Sequence, residues 1–195
     1  MSGTHQSLVA FTTGPRTLLR TPRLLVRRFE PSDGAGLHSY LSRPEAVRYE
    51  PYGVQSLAQC EEEASRRSHD PAFWAVCLAT SGTLVGNLYF NAEEPPEWRS
   101  YELGYVFHPD HWGNGYASEA ARAFVGRAFA DWGAHRVVAR CNPANLASWR
   151  LLERCGFRRE GRLVGNASFA LDPEGQPVWQ DTFLYGVLAS EWTAG

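Results

Sequence analysis

The apolar and polar positions along the chain switch repeatedly between a period of two and a period near 3.6. Arg23–Phe29 follows Pro22 with strand character, and Glu30-Pro31-Ser32-Asp33 then makes a turn that opens a helix. Helical spacing continues through Leu37, Tyr40 and Leu41, and a second helix is predicted from Ser56 to Arg67, with Ser56 as its cap. Phe73–Ala79 is a buried strand by its β-branched and aromatic content. Ser81-Gly82 turns the chain, and Thr83–Phe90 returns as the second arm of a hairpin. Asn91–Arg99, with two prolines and three glutamates, reads as a surface loop.

Tyr101–Phe107 is the next strand, and Ser118–Trp132 the next helix, its apolar residues recurring every three or four positions. Arg136–Cys141 is a short strand, and Asn145–Arg154 a helix stopped by Gly156. Phe157–Leu163 and Trp179–Leu188 complete the set, separated by a loop around Asp172-Pro173-Glu174-Gly175. The expectation is an α+β domain over residues 17–195, preceded by a loosely ordered arm at residues 1–16. It would hold six to seven strands in one mixed sheet and about four helices. There is no internal repeat.

Composition narrows the function. Hydrophobic residues make up 44% of the 195, enough for one sizeable core. A net charge of −2 argues against a nucleic-acid binder that neutralises phosphates, and gives no pull toward anionic membranes. No stretch approaches the apolar length of a membrane span, and the polar start Met1–Val9 does not read as a secretory leader. All 19 basic residues are arginine, so no lysine side chain can act as a nucleophile. Cys60, Cys77, Cys141 and Cys155 form no CxxC pair and have no histidine at ligand spacing, which excludes a structural zinc site. A cytoplasmic protein with reduced thiols and no metal is expected.

The strongest chemical signal is the turn His111-Trp112-Gly113-Asn114-Gly115-Tyr116-Ala117 between a strand and a helix. A glycine-rich turn opening a helix exposes unpaired amides, and the helix dipole adds positive potential, so an anion binds there without a lysine. Gly113 and Gly115 allow close backbone approach. The GK[ST] element of a Walker loop and the third glycine of GxGxxG are both missing. On its own, the turn is equally an ordinary strand-to-helix connection.

The run HPDHWGNGYASEA, followed by NPANLASWRLLERCGF, resembles the GNAT acetyltransferase superfamily. Within it, the likeness is to the branch of ribosomal-protein-alanine N-acetyltransferases and related enzymes. TPRLLVRRFEPSD at the start and WQDTFLYGVLASEW at the end fit that branch, extending the resemblance over about residues 17–192. The family loop pattern [QR]xxGx[GA] falls on Trp112, Gly115 and Ala117, with Trp112 in place of Gln or Arg. The resemblance implies acetyl-coenzyme A as co-substrate, with its pyrophosphate on the amides of 112–117. It implies a mostly antiparallel sheet splayed where Tyr101–Phe107 meets Arg136–Cys141. The pantetheine arm would lie in that gap on the main chain of Val106 and Phe107, with Asn145 and Ser148 beside it. Asn145 serves equally as a plain helix N-cap.

An ammonium acceptor must lose a proton before it attacks a thioester, and a carboxylate suits that task. Glu102 shares a strand face with Gly104 and Val106 and is the candidate base; a salt-bridged surface glutamate has the same sequence appearance. The tyrosine that many family members use as general acid is replaced here by Leu152. Ser148 is the branch's alternative, with Tyr101, Tyr105 and Tyr116 as further hydroxyls. Cys141 and Cys155 read as buried small hydrophobes, and His108 and His111 as loop histidines. Tyr49, Trp74, Tyr89, Trp98, Trp179 and Asp181 are candidates to line an acceptor pocket. The expected acceptor is a primary amine, on a protein N-terminus or a small molecule, and a homodimer stays open. The rival reading is a catalytically degenerate acyl-CoA-binding module.

Overall fold

The computed structural model describes residues 17–193, so the arm expected at 1–16 lies outside the described residues. The strands are β1 (Thr17–Arg20), β2 (Leu24–Arg28), β3 (Phe73–Leu78), β4 (Leu84–Ala92), β5 (Ser100–Phe107), β6 (Arg136–Cys141), β7 (Arg158–Leu171) and β8 (Pro177–Leu188). The helices are α1 (Gly34–Leu41), α2 (Pro44–Val47), α3 (Leu57–His69), α4 (Tyr116–Asp131) and α5 (Leu146–Arg154). All eight strands form one sheet in the order β1-β2-β3-β4-β5-β6-β8-β7. Every pairing is antiparallel except β5 with β6.

One strand and one helix exceed the expectation. Both β1 and α2 span four residues, too short for a period to register. The connection expected at 91–99 is partly strand, since β4 runs on to Ala92 opposite Tyr101. β7 is twice the length its apolar run suggests, because its outer half is exposed and carries no alternation. No helix among the described residues is long and apolar enough to cross a membrane.

Two apolar layers hold the sheet between them. On β3, Trp74 and Val76 pack with α4 and α5, while Ala75 and Cys77 face the other way, toward α1 and α3. That alternation is the period-two rule applied to a strand buried on both faces. Phe124 on α4 anchors the first layer, with Trp74, Phe90 and Trp132 edge-on or stacked obliquely at 5.2–5.3 Å. Ser56 caps α3 by accepting from Gln59 N–H, and Gln59 returns the bond.

The feature that positions a site is the parting of β5 and β6. They pair only at Ser100–Arg136, Tyr101–Val137 and Glu102–Val138. Beyond Glu102, β5 stays with β4 as far as Phe107, and β6 stays with β8 as far as Phe183. The facing edges of Gly104–Phe107 and Ala139–Cys141 are therefore unpaired with each other. The splay that the resemblance implied is present.

Gly86 secures the β4 side of this opening. A Cβ there would meet the Val106 carbonyl oxygen and the Phe107 ring, each at 2.6 Å. Backbone cannot yield cheaply, so Gly86→Ala must shift the end of β5. We predict a loss of about 1–3 kcal/mol in urea unfolding, together with weaker coenzyme A binding in a calorimetric titration.

Candidate active site

Two cavities flank the parted strands. One, of about 640 Å³, is walled by the end of β5, the glycine turn and α5. In the turn, Gly113 and Gly115 both adopt left-handed φ, 78° and 77°. The first α4 bond runs from Glu119 N–H to the Gly115 carbonyl at 3.0 Å. The amides ahead of it are the orphan donors of the helix start, on a sixteen-residue helix whose dipole points the same way. An anion of pyrophosphate size is held by such a turn through backbone alone.

Two side chains hold the turn in shape, Arg23, which the sequence reading passed over, and Trp112, which it named for the loop itself. Arg23 donates from Nη1 to the Asn114 carbonyl (2.9 Å) and from Nε to Glu119 (2.6 Å), and lies 4.8 Å over the Tyr116 ring. Trp112, a substitution in the family pattern, donates its indole N–H to the Phe107 carbonyl at 2.9 Å. It ties the turn to the strand end and occupies that carbonyl. Asn114 closes the turn on itself through His111 and Trp112 carbonyls. Nothing local in the sequence marks Arg23, ninety-one residues from the loop it braces.

The second cavity, of about 590 Å³, opens on the α1–α3 side of the sheet. Tyr49, Glu50, Tyr105, Val106, Asn145 and Ser148 line both cavities. The two spaces thus meet at one wall, and Val106, Asn145 and Ser148 all stand on it. Asn145 is the N-cap of α5, its Oδ1 accepting from Ser148 N–H at 3.2 Å. The Tyr105 hydroxyl lies 3.0 Å from Ser148 Oγ and 3.1 Å from the Ser148 carbonyl. Burial drives the Tyr105 phenol well above its usual range. It stays a hydroxyl at any working pH, able to orient or reprotonate Ser148.

Glu102 lines the second cavity alone, half-buried, with Oε1 2.8 Å from Arg140 Nη1. Arg140 also holds Glu93. Glu50 was missed, because an isolated glutamate between two short elements carries no signal. It borders both cavities, and burial pushes its carboxyl up to about 7, against the pull of Arg67 and a hydrogen bond with Tyr52.

Of the other candidates, Tyr49 and Tyr89 line the second cavity. Trp74 is buried in the core, and Trp98 and Trp179 are exposed away from it. Asp181 binds Arg162 and the Gly165 amide inside the β7–β8 hairpin. Those four leave the pocket because strand alternation, which the sequence shows, does not say which end of the sheet is open. Burial lifts the Cys141 thiol to about 11, so it is protonated at neutral pH and unsuited to attack. His108 is held neutral by burial and accepts from Asp110 N–H. No cluster of three His, Cys, Asp or Glu suited to a metal exists among the described residues.

Comparison with known proteins agrees with this geometry. Residues 23–158 match the model of the acetyltransferase (GNAT) domain family. An uncharacterised N-acetyltransferase of Bacillus subtilis, YnaD, is 33% identical over 89% of this chain and 98% of its own. The Escherichia coli [ribosomal protein uS5]-alanine N-acetyltransferase is 27% identical over 93% of this chain and 95% of its own. Among solved structures, a GNAT-family acetyltransferase from Bacillus anthracis superposes with a TM-score of 0.79 at 32% identity, covering 89% of this chain and 99% of that one. Spermidine N-acetyltransferase from Vibrio cholerae, solved with CoA and spermine, gives 0.71 at 25% identity, covering 88% and 98%.

The raised Glu50 carboxyl sets a pH dependence of stability. Between the ordinary carboxylate range and about 7, the folded state holds a proton that the unfolded state has released. Folding therefore weakens as pH rises through that window. Glu50→Gln removes the cost. We expect the variant to match the parent in urea unfolding at pH 4.5 and to exceed it by about 1–2 kcal/mol at pH 8, discounting for the carboxyl's partial exposure.

Proposed function

The chain belongs to the GNAT acetyltransferase family, and on that premise we propose that it transfers acetyl from acetyl-coenzyme A directly to a primary amine at the wall shared by its two cavities. The observation that carries this reading is the shared wall itself. The loop of residues 112–117 with Arg23 behind it suits the pyrophosphate. The β5 edge at Val106, unpaired with β6, suits an extended amide-bearing arm added as a strand; the Phe107 carbonyl beside it is taken by Trp112, and Asn145 stands where that arm would end. Both named relatives with a stated acceptor act on amines, a ribosomal-protein alanine in one and spermidine in the other. That shared chemistry is what we assign.

In this mechanism Glu102 takes one proton from the acceptor ammonium. Its Oε1 lies 2.8 Å from Arg140 Nη1. The neutral nitrogen then bonds to the thioester carbon while the C–S bond breaks. Ser148 gives a proton to the departing sulfur and is refilled through Tyr105, and the nitrogen's second proton passes to solvent. The products are the N-acetyl amine, free thiol and a proton. Glu50 is the second reading for the base: it borders both cavities, and burial raises its carboxyl to about 7.

Thiol release with a panel of amines tests the function. Coenzyme A binding with no thiol release from any amine would instead mark a degenerate binding module. We expect Ser148→Ala to lower kcat by about tenfold to a hundredfold while coenzyme A affinity changes little. Glu102→Gln should lower kcat/KM for the amine by about 10²–10⁴. If Glu50 is the base, kcat/KM instead climbs as pH rises through about 7, and Glu50→Gln erases that limb while Glu102→Gln leaves it.

A further inference from the structure

The floor of the acceptor cavity contains a buried guanidinium with a donor left over. Arg67 on α3 is 2% exposed, yet it lines that cavity. Its structural duties are complete on one side: Nε donates to Glu63 Oε1 at 2.7 Å, and Cζ lies 4.5 Å over Phe73 and 5.5 Å over Phe29. Nη1 is equally buried, and no protein group among the described residues accepts from it. Tyr52 interacts with both this guanidinium and Glu50, and still Nη1 is without a partner. An arginine cannot shed its charge to escape the penalty.

The surrounding charges limit what can complete it. Glu63 is shared between Arg66 and Arg67, and Arg66 also takes Asp70. The other carboxylate near Arg67 is Glu50, which burial holds partly neutral, so a second ammonium placed on this floor meets the guanidinium's positive charge. An oxygen acceptor there meets a cationic donor.

We propose that Arg67 is a specificity-determining residue: its guanidinium, which lines the cavity with donor capacity unspent, receives a carbonyl, carboxylate or hydroxyl oxygen of the acceptor. The acceptor would then be an amine that carries an accepting oxygen, with nitrogen at the wall shared by the two cavities and oxygen on the Arg67 floor. An oxygen-free amine such as a polyamine offers the guanidinium no acceptor and brings positive charge to it. This deepens, and rests on, the amine-acetylation reading.

The test compares thiol release from acetyl-coenzyme A with two sets of amines. One set is glycinamide, ethanolamine and an alanine-starting peptide; the other is propylamine and spermidine. Rates are expressed per concentration of free amine, because the sets differ in amine pKa. The wild-type protein should favour the first set in kcat/KM. Arg67→Met should reduce that preference by about 10- to 100-fold, through KM rather than kcat, with Arg67→Lys restoring part of it. Glu63 keeps Arg66 in the variant, which limits collateral damage. An equal loss on both sets, or a wild-type preference for the oxygen-free amines, overturns the assignment. Should Arg67→Met not fold, the wild-type preference alone decides. Absence of thiol release with every amine, despite coenzyme A binding, overturns the enzymatic reading, and this one with it.

Discussion

Everything functional in this molecule depends on β5 and β6 separating after three residue pairs. Backbone amides and carbonyls inside a sheet are obligatory hydrogen-bonding groups, and an edge left unpaired in the interior must be met by something. Here two strands that could have zipped together are each held by their outer neighbours, β4 and β8, and diverge. The opening is thus built into the sheet and needs no loop motion to form. It also explains why one parallel pairing sits in an otherwise antiparallel sheet: only the crossover through α4 brings two strands side by side with their ends pointing the same way, toward the glycine turn.

The turn makes its contribution through the same currency of unpaired backbone. On the proposed reading the turn meets phosphate with amides and the α4 dipole, and Arg23 and Trp112 serve to hold those amides still. Arg23 reaches across from the start of β2 to Asn114 and Glu119, while Trp112 reaches back to Phe107. The tryptophan that departs from the family pattern is therefore a brace between the strand end and the loop. A smaller residue at this position would leave the Phe107 carbonyl open and the turn less tied to the gap.

How much of this was legible in the sequence follows from range. Elements with their own period, such as α4 and β3, were found to within a few residues, and so was the glycine turn, whose chemistry is local. Asn145, Ser148 and Val106 were assigned to the cofactor by resemblance, and the structure brings the three together on the wall that the two cavities share. β1, α2 and the outer half of β7 were not legible, being too short or too evenly exposed to show a period. Arg23, Glu50 and Arg67 were missed for another reason. Each acts on residues remote in sequence or on a cavity that exists only once the sheet has parted. Trp74, Trp98, Trp179 and Asp181 show the converse error, since residue type suggested a pocket that their positions on the fold do not share.

The acceptor side differs in kind from the cofactor side. The cofactor wall is satisfied structure: caps, braces and a hydroxyl pair, with its donors left over only where helix geometry leaves them. The acceptor cavity carries electrostatic costs. Burial holds Glu50 partly neutral, and Arg67 keeps a charged donor out of water with one N–H unmatched. Burying Glu50 does not help the fold, and a leucine or methionine there would remove a penalty, while the burial of Arg67 is offset by its carboxylate and phenol neighbours everywhere but at Nη1. Stability alone does not account for charges kept at such cost beside a cavity that meets the transfer wall. Recognition does: a group already stripped of water and held by Phe29, Phe73 and Glu63 loses little further freedom when an acceptor arrives. The selectivity of the enzyme is then set on α3, away from the glycine turn by which its family is recognised.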